Sequence, residues 1–178
     1  TWYFGDGNIS YEENPTHRYE DDGKYIVTLL VIDNEWAFSS TQKEITVKNV
    51  PPVANFTWAP RYVVPNKNVT FNASSSYDLD GNIVTYEWKF GDGYIGYGME
   101  INHTYNQHGI YDVTLTVYDD DGASTAITKK LLIADLYVDE NIYDPANYTW
   151  NKIQDAVDNS SDGYFIYVNK GTYNEDVY

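Results

Sequence analysis

Cysteine is absent from the 178 residues, which excludes disulfide staples, thiolate chemistry and cysteine-ligated zinc together. Positive charge is scarce, with 11 Lys and Arg against 27 Asp and Glu and a formal net charge of −16. Such a field repels phosphates and argues against nucleic acid as a partner. No run of 18 or more apolar residues occurs, so no segment reads as a membrane-spanning helix, and no leader-type pattern is seen at the start. Methionine occurs once. What is abundant is aromatic: 19 Tyr, 5 Trp and 6 Phe, punctuated by 12 Gly. That mixture favours strands over helices, and the length suits one ordinary domain or two small ones.

Displacing the sequence by 86 residues lays its first quarter over its middle without a gap. Trp2, Phe4, Gly5, Asp6 and Gly7 fall on Trp88, Phe90, Gly91, Asp92 and Gly93, and His17 and Tyr19 fall on His103 and Tyr105. Gly23, Tyr25, Val27, Thr28, Leu29, Val31 and Asp33 then fall on Gly109, Tyr111, Val113, Thr114, Leu115, Val117 and Asp119. This register implies two copies of one unit of about 85 residues. Three segments result: an incomplete repeat over 1–49, a complete one over 50–134, and a different pattern over 135–178. Asn49-Val50-Pro51-Pro52 separates the repeats, and its two prolines predict a short, semi-rigid hinge.

In the second repeat, alternation of period two defines the strands. Ala54, Phe56 and Trp58 share one face, as do Val69, Phe71 and Ala73. Val84, Tyr86, Trp88 and Phe90 form a further expected inward row, and Tyr111, Val113, Leu115 and Val117 another. Asp80-Gly81-Asn82, Gly91-Asp92-Gly93 and Asp121-Gly122 supply turns. About seven short strands at this spacing predict a mainly β chain built on an antiparallel two-sheet sandwich.

These residues carry a resemblance. Asp78-x-Asp80-Gly81, then Tyr86-x-Trp88-x-Phe90-Gly91-Asp92-Gly93, His103-x-Tyr105 and Gly109-x-Tyr111-x-Val113-Thr114-Leu115-x-Val117-x-Asp119 resemble the PKD repeat family. The resemblance implies immunoglobulin-like β-sandwiches of cell-surface and secreted proteins, archaeal surface-layer proteins among them, acting as spacers and adhesion modules. Fold alone does not fix function.

After residue 134 the pattern changes. Thr149 reads as an N-cap, with Trp150, Ile153, Ala156 and Val157 at helical spacing, which predicts a helix over about 150–158. A strand-like run follows at 164–168, and then a turn at Gly171-Thr172-Tyr173 before Val177. The string Trp150-x-x-Ile153-Gln154-x-Ala156-Val157 … Ile166-x-Val168-x-x-Gly171-Thr172-Tyr173-x-Glu175-x-Val177 resembles the start of a pectin-lyase-type right-handed parallel β-helix. That resemblance implies a capping helix and a first coil. One coil cannot bury a continuous core, so the chain is expected to be a segment of a longer surface polypeptide.

Asn-x-Ser/Thr occurs at Asn8, Asn55, Asn68, Asn72, Asn102, Asn147 and Asn159, seven times where composition alone gives about two, which marks candidate glycosylation positions. Asp78 and Asp80 occupy one expected loop and Asp119, Asp120 and Asp121 another at the same end of the sandwich. Hard oxygen ligands at that density suit Ca²⁺, although ordinary turn chemistry accounts for the same residues. The resemblance supports the metal reading, since some related modules of secreted collagenases bind calcium near this end. His17 and His103 are expected to be hydrogen-bonded structural residues, and His108 a lone turn residue. No nucleophile–base arrangement, phosphate loop or zinc spacing appears. Tyr3, Tyr11, Tyr94, Tyr97 and Tyr118 are candidates for stacking on sugar rings or a protein partner, or simply surface tyrosines. Ile26, Leu30 and Ile32 place three aliphatics on a nominally solvated face, where the second repeat has Asp112, Thr116 and Tyr118, which predicts a packing partner or self-assembly.

The reading is a non-catalytic, extracellular structural or adhesive segment of a large surface protein, binding other surface proteins or polysaccharide. It requires no cofactor beyond the candidate calcium. The alternative is the accessory region of a secreted polysaccharide-degrading enzyme whose catalytic β-helix lies downstream.

Overall fold

The computed structural model describes residues 1–139, 141, 144–145, 148–171 and 173. The first repeat contains β1 (Trp2–Tyr3), β2 (Ile9–Ser10), β3 (Gly23–Ile32) and β4 (Phe38–Val47), an antiparallel sheet of order β2-β1-β3-β4. The second contains β5 (Thr57–Ala59), β6 (Asn68–Asn72), β7 (Ile83–Lys89), β8 (Ile95–Tyr97), β9 (Glu100–Thr104), β10 (Gly109–Asp119) and β11 (Ser124–Ile133). These form two sheets, β5-β6-β9 and β11-β10-β7-β8, facing each other as a sandwich.

The alternating apolar positions explain the layers. Phe56, Val69 and Phe71 from one sheet meet Trp88, Val113, Leu115 and Val117 from the other, and all are fully buried. Each such side chain contributes about 1.5–3 kcal/mol by leaving water. Trp88 lies edge-on to Phe56, ring centroids 5.0 Å apart, and its indole N–H donates to the Gly98 carbonyl at 2.8 Å. That bond satisfies the one polar atom an indole carries into a core. Both repeats repeat one corner: Tyr105 donates to the Phe90 carbonyl at 3.0 Å, and Tyr19 to that of Phe4 at 2.9 Å. Gly91, at φ +84°, lets the turn lie against β10, since a Cβ there would stand 2.9 Å from the Asp112 backbone.

One inward row differs from expectation. Val84 is 60% exposed and Ile83 packs on the core instead. The β10–β7 ladder pairs Tyr118 with Thr85 and then Asp119 with Ile83, so a bulge absorbs Val84 and reverses the parity.

In the C-terminal part, β12 (Leu136–Val138) lies between β13 (Thr149–Trp150) and β14 (Ile166–Val168), and both pairings are parallel. The helix α1 is shorter than expected, Ile153–Asp158. Its N-cap is Lys152, not Thr149, which is buried in β13 beside Tyr137. Helical spacing starts at Trp150, but that indole packs with Leu136, Val138 and Ala156, and strand pairing there overrides the cap preference. The strand expected over 164–168 begins at Ile166. Thr172, Glu175 and Val177 of the β-helix-like string lie outside the described residues. Among the described residues no helix is long and apolar enough to cross a membrane.

Candidate functional site

Turn-forming residues gather at the junction between the repeats. The β10–β11 turn is closed by Asp119, whose Oδ1 accepts the Ala123 N–H at 2.6 Å, while its Oδ2 accepts the Asn49 amide at 3.0 Å. Asp119 is almost wholly buried. The loop between β6 and β7 presents Asp80, whose Oδ2 accepts the Val50 N–H at 2.9 Å. Asp78 Oδ1 accepts the Asp80 N–H at 3.3 Å. The link between repeats is therefore bonded to two loops of the second repeat.

Two atoms in this arrangement, Asp78 Oδ2 and Asp80 Oδ1, are buried without a hydrogen-bond partner among the described residues. Leaving such an acceptor unmatched costs about 1–3 kcal/mol, more when it is charged. Oxygen ligands of this type suit a hard cation such as Ca²⁺.

The five expected carboxylates do not form one cluster. Asp120 turns to the Gly81-Asn82 backbone, accepting the Asn82 N–H at 2.7 Å, and that bond first of all holds its carboxyl below the usual range. Asp121 points to the first repeat, where its carboxylate and those of Asp21 and Asp22 lie within 4.8 Å of one another. Its carboxyl is pushed up to about 6, first by sharing a hydrogen bond with Asp22, then by lost hydration and neighbouring negative charge. Asp78, Asp80 and Asp119 stay with Asn49 and Val50; Asp121 instead joins Asp21 and Asp22. Sequence reasoning missed Asn49, Val50, Asp21 and Asp22, although their closeness to the Pro51-Pro52 hinge and to Gly23 was visible.

The other predicted residues are dispersed. His17 and His103 stack on Phe4 and Phe90, centroids 4.0 Å apart in each pair, and each Nε2 lies 2.7 Å from a carboxylate, Asp6 or Asp92. These are turn-bracing contacts, not a catalytic pair. His108 is not a lone turn residue: it pairs with Asp135 at 3.0 Å and stacks on Phe165, tying the second repeat to the C-terminal sheet. Asn8, Asn55, Asn68, Asn102 and Asn159 are exposed, Asn72 is half-buried, and Asn147 lies outside the described residues. The Asn68 amide donates to Asn102 and that of Asn72 to Glu100, forming a polar ladder on the outer face. Tyr3, Tyr11, Tyr94 and Tyr97 are exposed, whereas Tyr118 is half-buried. Ile26 and Ile32 are exposed and Leu30 half-buried.

The profile of the PKD domain matches residues 1–48 and again 49–134. The chain belongs to the PKD domain family. PKD domains are non-catalytic, immunoglobulin-like modules. A pre-pro-metalloprotease, PrtV, of Vibrio cholerae serotype O1 is 38% identical over 132 residues, which is 73% of this chain and 14% of that protein. Collagenase ColA of Clostridium perfringens is 28% identical over 119 residues, 67% of this chain and 10% of that protein. The crystal structure of the PKD1 domain from the Vibrio cholerae protease superposes with a TM-score of 0.42 at 34% identity, covering 47% of this chain and 98% of that domain. The chain thus spans a small part of the proteins it resembles.

Proposed function

We propose that this PKD-containing chain is a non-catalytic spacer and binding segment of an extracellular protein, holding adjacent modules at a set angle and engaging polysaccharide. The observation that carries the spacer reading is the pair of bonds from Asn49 and Val50 to Asp119 and Asp80. They turn a proline hinge into a joint fixed at both loops. Small-angle scattering of the full chain tests it: one interrepeat geometry is the expected result, and a broad distribution of separations overturns it.

The same joint is the favoured place for Ca²⁺, with Asp78 and Asp80 as carboxylate ligands. The unmatched oxygens of Asp78 and Asp80 support this reading, and Asp119, Asp120 and Asp121 are left out because their carboxylates are hydrogen-bonded elsewhere. Calorimetric titration should give saturable heat at millimolar calcium or below, abolished in Asp80→Asn. No heat in the wild type removes the metal.

The parallel pairing of β12 with β13 and β14 supports a β-helix beginning in this part of the chain. A surface-layer protein of archaeal type, glycosylated at the exposed sequons and self-associating through Ile26, Leu30 and Ile32, is one setting. The accessory region of a secreted polysaccharide-degrading enzyme is the other, and kinship with a metalloprotease and a collagenase favours an enzyme-borne accessory role.

A further inference from the structure

We propose that the groove between the second repeat and the C-terminal sheet is a subsite for one uronate ring of a polysaccharide. The proposal rests on the polysaccharide-binding reading above and assigns it a place and a charge. The groove has a volume of about 260 Å³. That is somewhat below the ~300 Å³ at which sites for whole small molecules begin, and suits a single ring of a polymer held across an open cleft.

Its lining combines aromatic rings with cationic and amide groups. Trp58, Tyr62 and Tyr167 supply aromatic surface, and Arg61, Lys130 and Asn169 supply donors. Among the described residues no carboxylate lines it, in a chain where Asp and Glu outnumber Lys and Arg 27 to 11. Arg61 forms no ion pair among the described residues, and its guanidinium stands 5.2 Å from the Tyr62 ring centroid. Lys130 is on the exposed rim, with Asp112 at 2.8 Å. The acid behind the wall is Asp139, which is buried. Its Oδ2 takes hydrogen bonds from the Tyr62 hydroxyl at 2.5 Å and the Asn169 amide at 3.0 Å, and its Oδ1 takes the Asn141 N–H at 3.1 Å.

Those bonds also fix the Tyr62 ring, which is pinned by its hydroxyl and tilted against Tyr137 at 4.9 Å, and Tyr167 lies 6.1 Å from Tyr137. Tyr137 itself donates to the Val63 carbonyl at 2.7 Å across the junction. Aromatic faces held in place accept the C–H face of a pyranose with little ordering cost. The Arg61 guanidinium, drawn toward the buried Asp139 charge but in no ion pair among the described residues, can match a carboxylate through two parallel N–H···O bonds, which a neutral sugar does not offer. The overall charge of −16 opposes general attraction of any polyanion, so binding of an acidic polymer reports a local site.

Affinity electrophoresis of the full chain in gels containing polygalacturonate, dextran or polyglutamate is the test. Retardation by polygalacturonate alone is expected, weakened about tenfold in Arg61→Gln and in Tyr167→Ala but unchanged in Tyr94→Ala. Retardation that survives Arg61→Gln and Tyr167→Ala but is lost in Tyr94→Ala overturns the groove while leaving polysaccharide binding intact. Equal retardation by polyglutamate overturns the sugar and leaves an anion site. No retardation by either saccharide overturns both the groove and the polysaccharide reading, and the spacer role stands alone.

Discussion

The two repeats share a motif and a corner but not an interior. Trp88, Val113, Leu115 and Val117 are sealed beneath β5, β6 and β9. Their counterparts Trp2, Val27 and Leu29 are half-buried and Val31 is 57% exposed, because among the described residues the sheet β2-β1-β3-β4 has no facing sheet. A shallow apolar depression of about 460 Å³ lined by Trp2, Val27, Leu29 and Ile45 lies where the second repeat places Phe56 and Phe71. The stretch equivalent to β9, residues 14–18, is not a strand, having no neighbour like β6 to pair with, yet His17 keeps its place on Phe4. Local motifs therefore set turns and corners without the second sheet, whereas full burial needs it.

The largest expected effect sharpens this contrast. Trp88→Ala should cost about 3–5 kcal/mol in chemical denaturation of the full chain, and Trp2→Ala about 1–2 kcal/mol, since a half-covered indole has less burial to lose. Equal losses would show that the first repeat has a covered interior. Next come the glycines of the shared turn. Gly91→Ala brings a Cβ to 2.9 Å from the Asp112 backbone at φ +84° and should cost about 2–4 kcal/mol. Gly5→Ala makes the same contact with Ile26, but a sheet free on one face gives way, for about half that loss.

The junction has a pH dependence of definite sign. The Asp121 carboxyl is raised to about 6 in the folded chain, so the protonated form belongs to the closed contact with Asp22. Its contribution is present in full below the ordinary carboxylate value near 4 and is lost as pH rises through 6. Interrepeat geometry followed by scattering between pH 4 and 7 should loosen across that window, and Asp121→Asn should flatten the profile. The smallest effect concerns the hairpin tips. Trp36 sits at φ +67° and is 84% exposed, where the second repeat has Gly122 at φ +89°. Trp36→Gly should raise stability by about 1 kcal/mol or less, strain relief being partly offset by the looser unfolded chain.

Much of this was legible in the sequence. The 86-residue register, the turns and the rows led by Phe56, Val69 and Val113 follow from periodicity and Gly-Asp-Gly spacing, which are local signals. The bulge at Val84 was not, because it is set by pairing with β10 rather than by any residue of its own. Thr149 was misread for a related reason: its strand partner, Tyr137, is twelve residues away. The carboxylates were located to the right end of the sandwich, but which oxygens meet depends on how the repeats are joined. Nor did any pattern announce Arg61 beside Tyr62 and Tyr167, which only the docking of the C-terminal sheet brings together.

Hydrogen exchange on the intact chain compares the repeats most directly. Amides of β10, flanked by β7 and β11 and covered by a second sheet, should exchange orders of magnitude more slowly than those of β3, including Thr28 and Leu29, where β3 is paired with both β1 and β4. Equal protection of Gly23–Ile32 and Gly109–Asp119 would contradict the account.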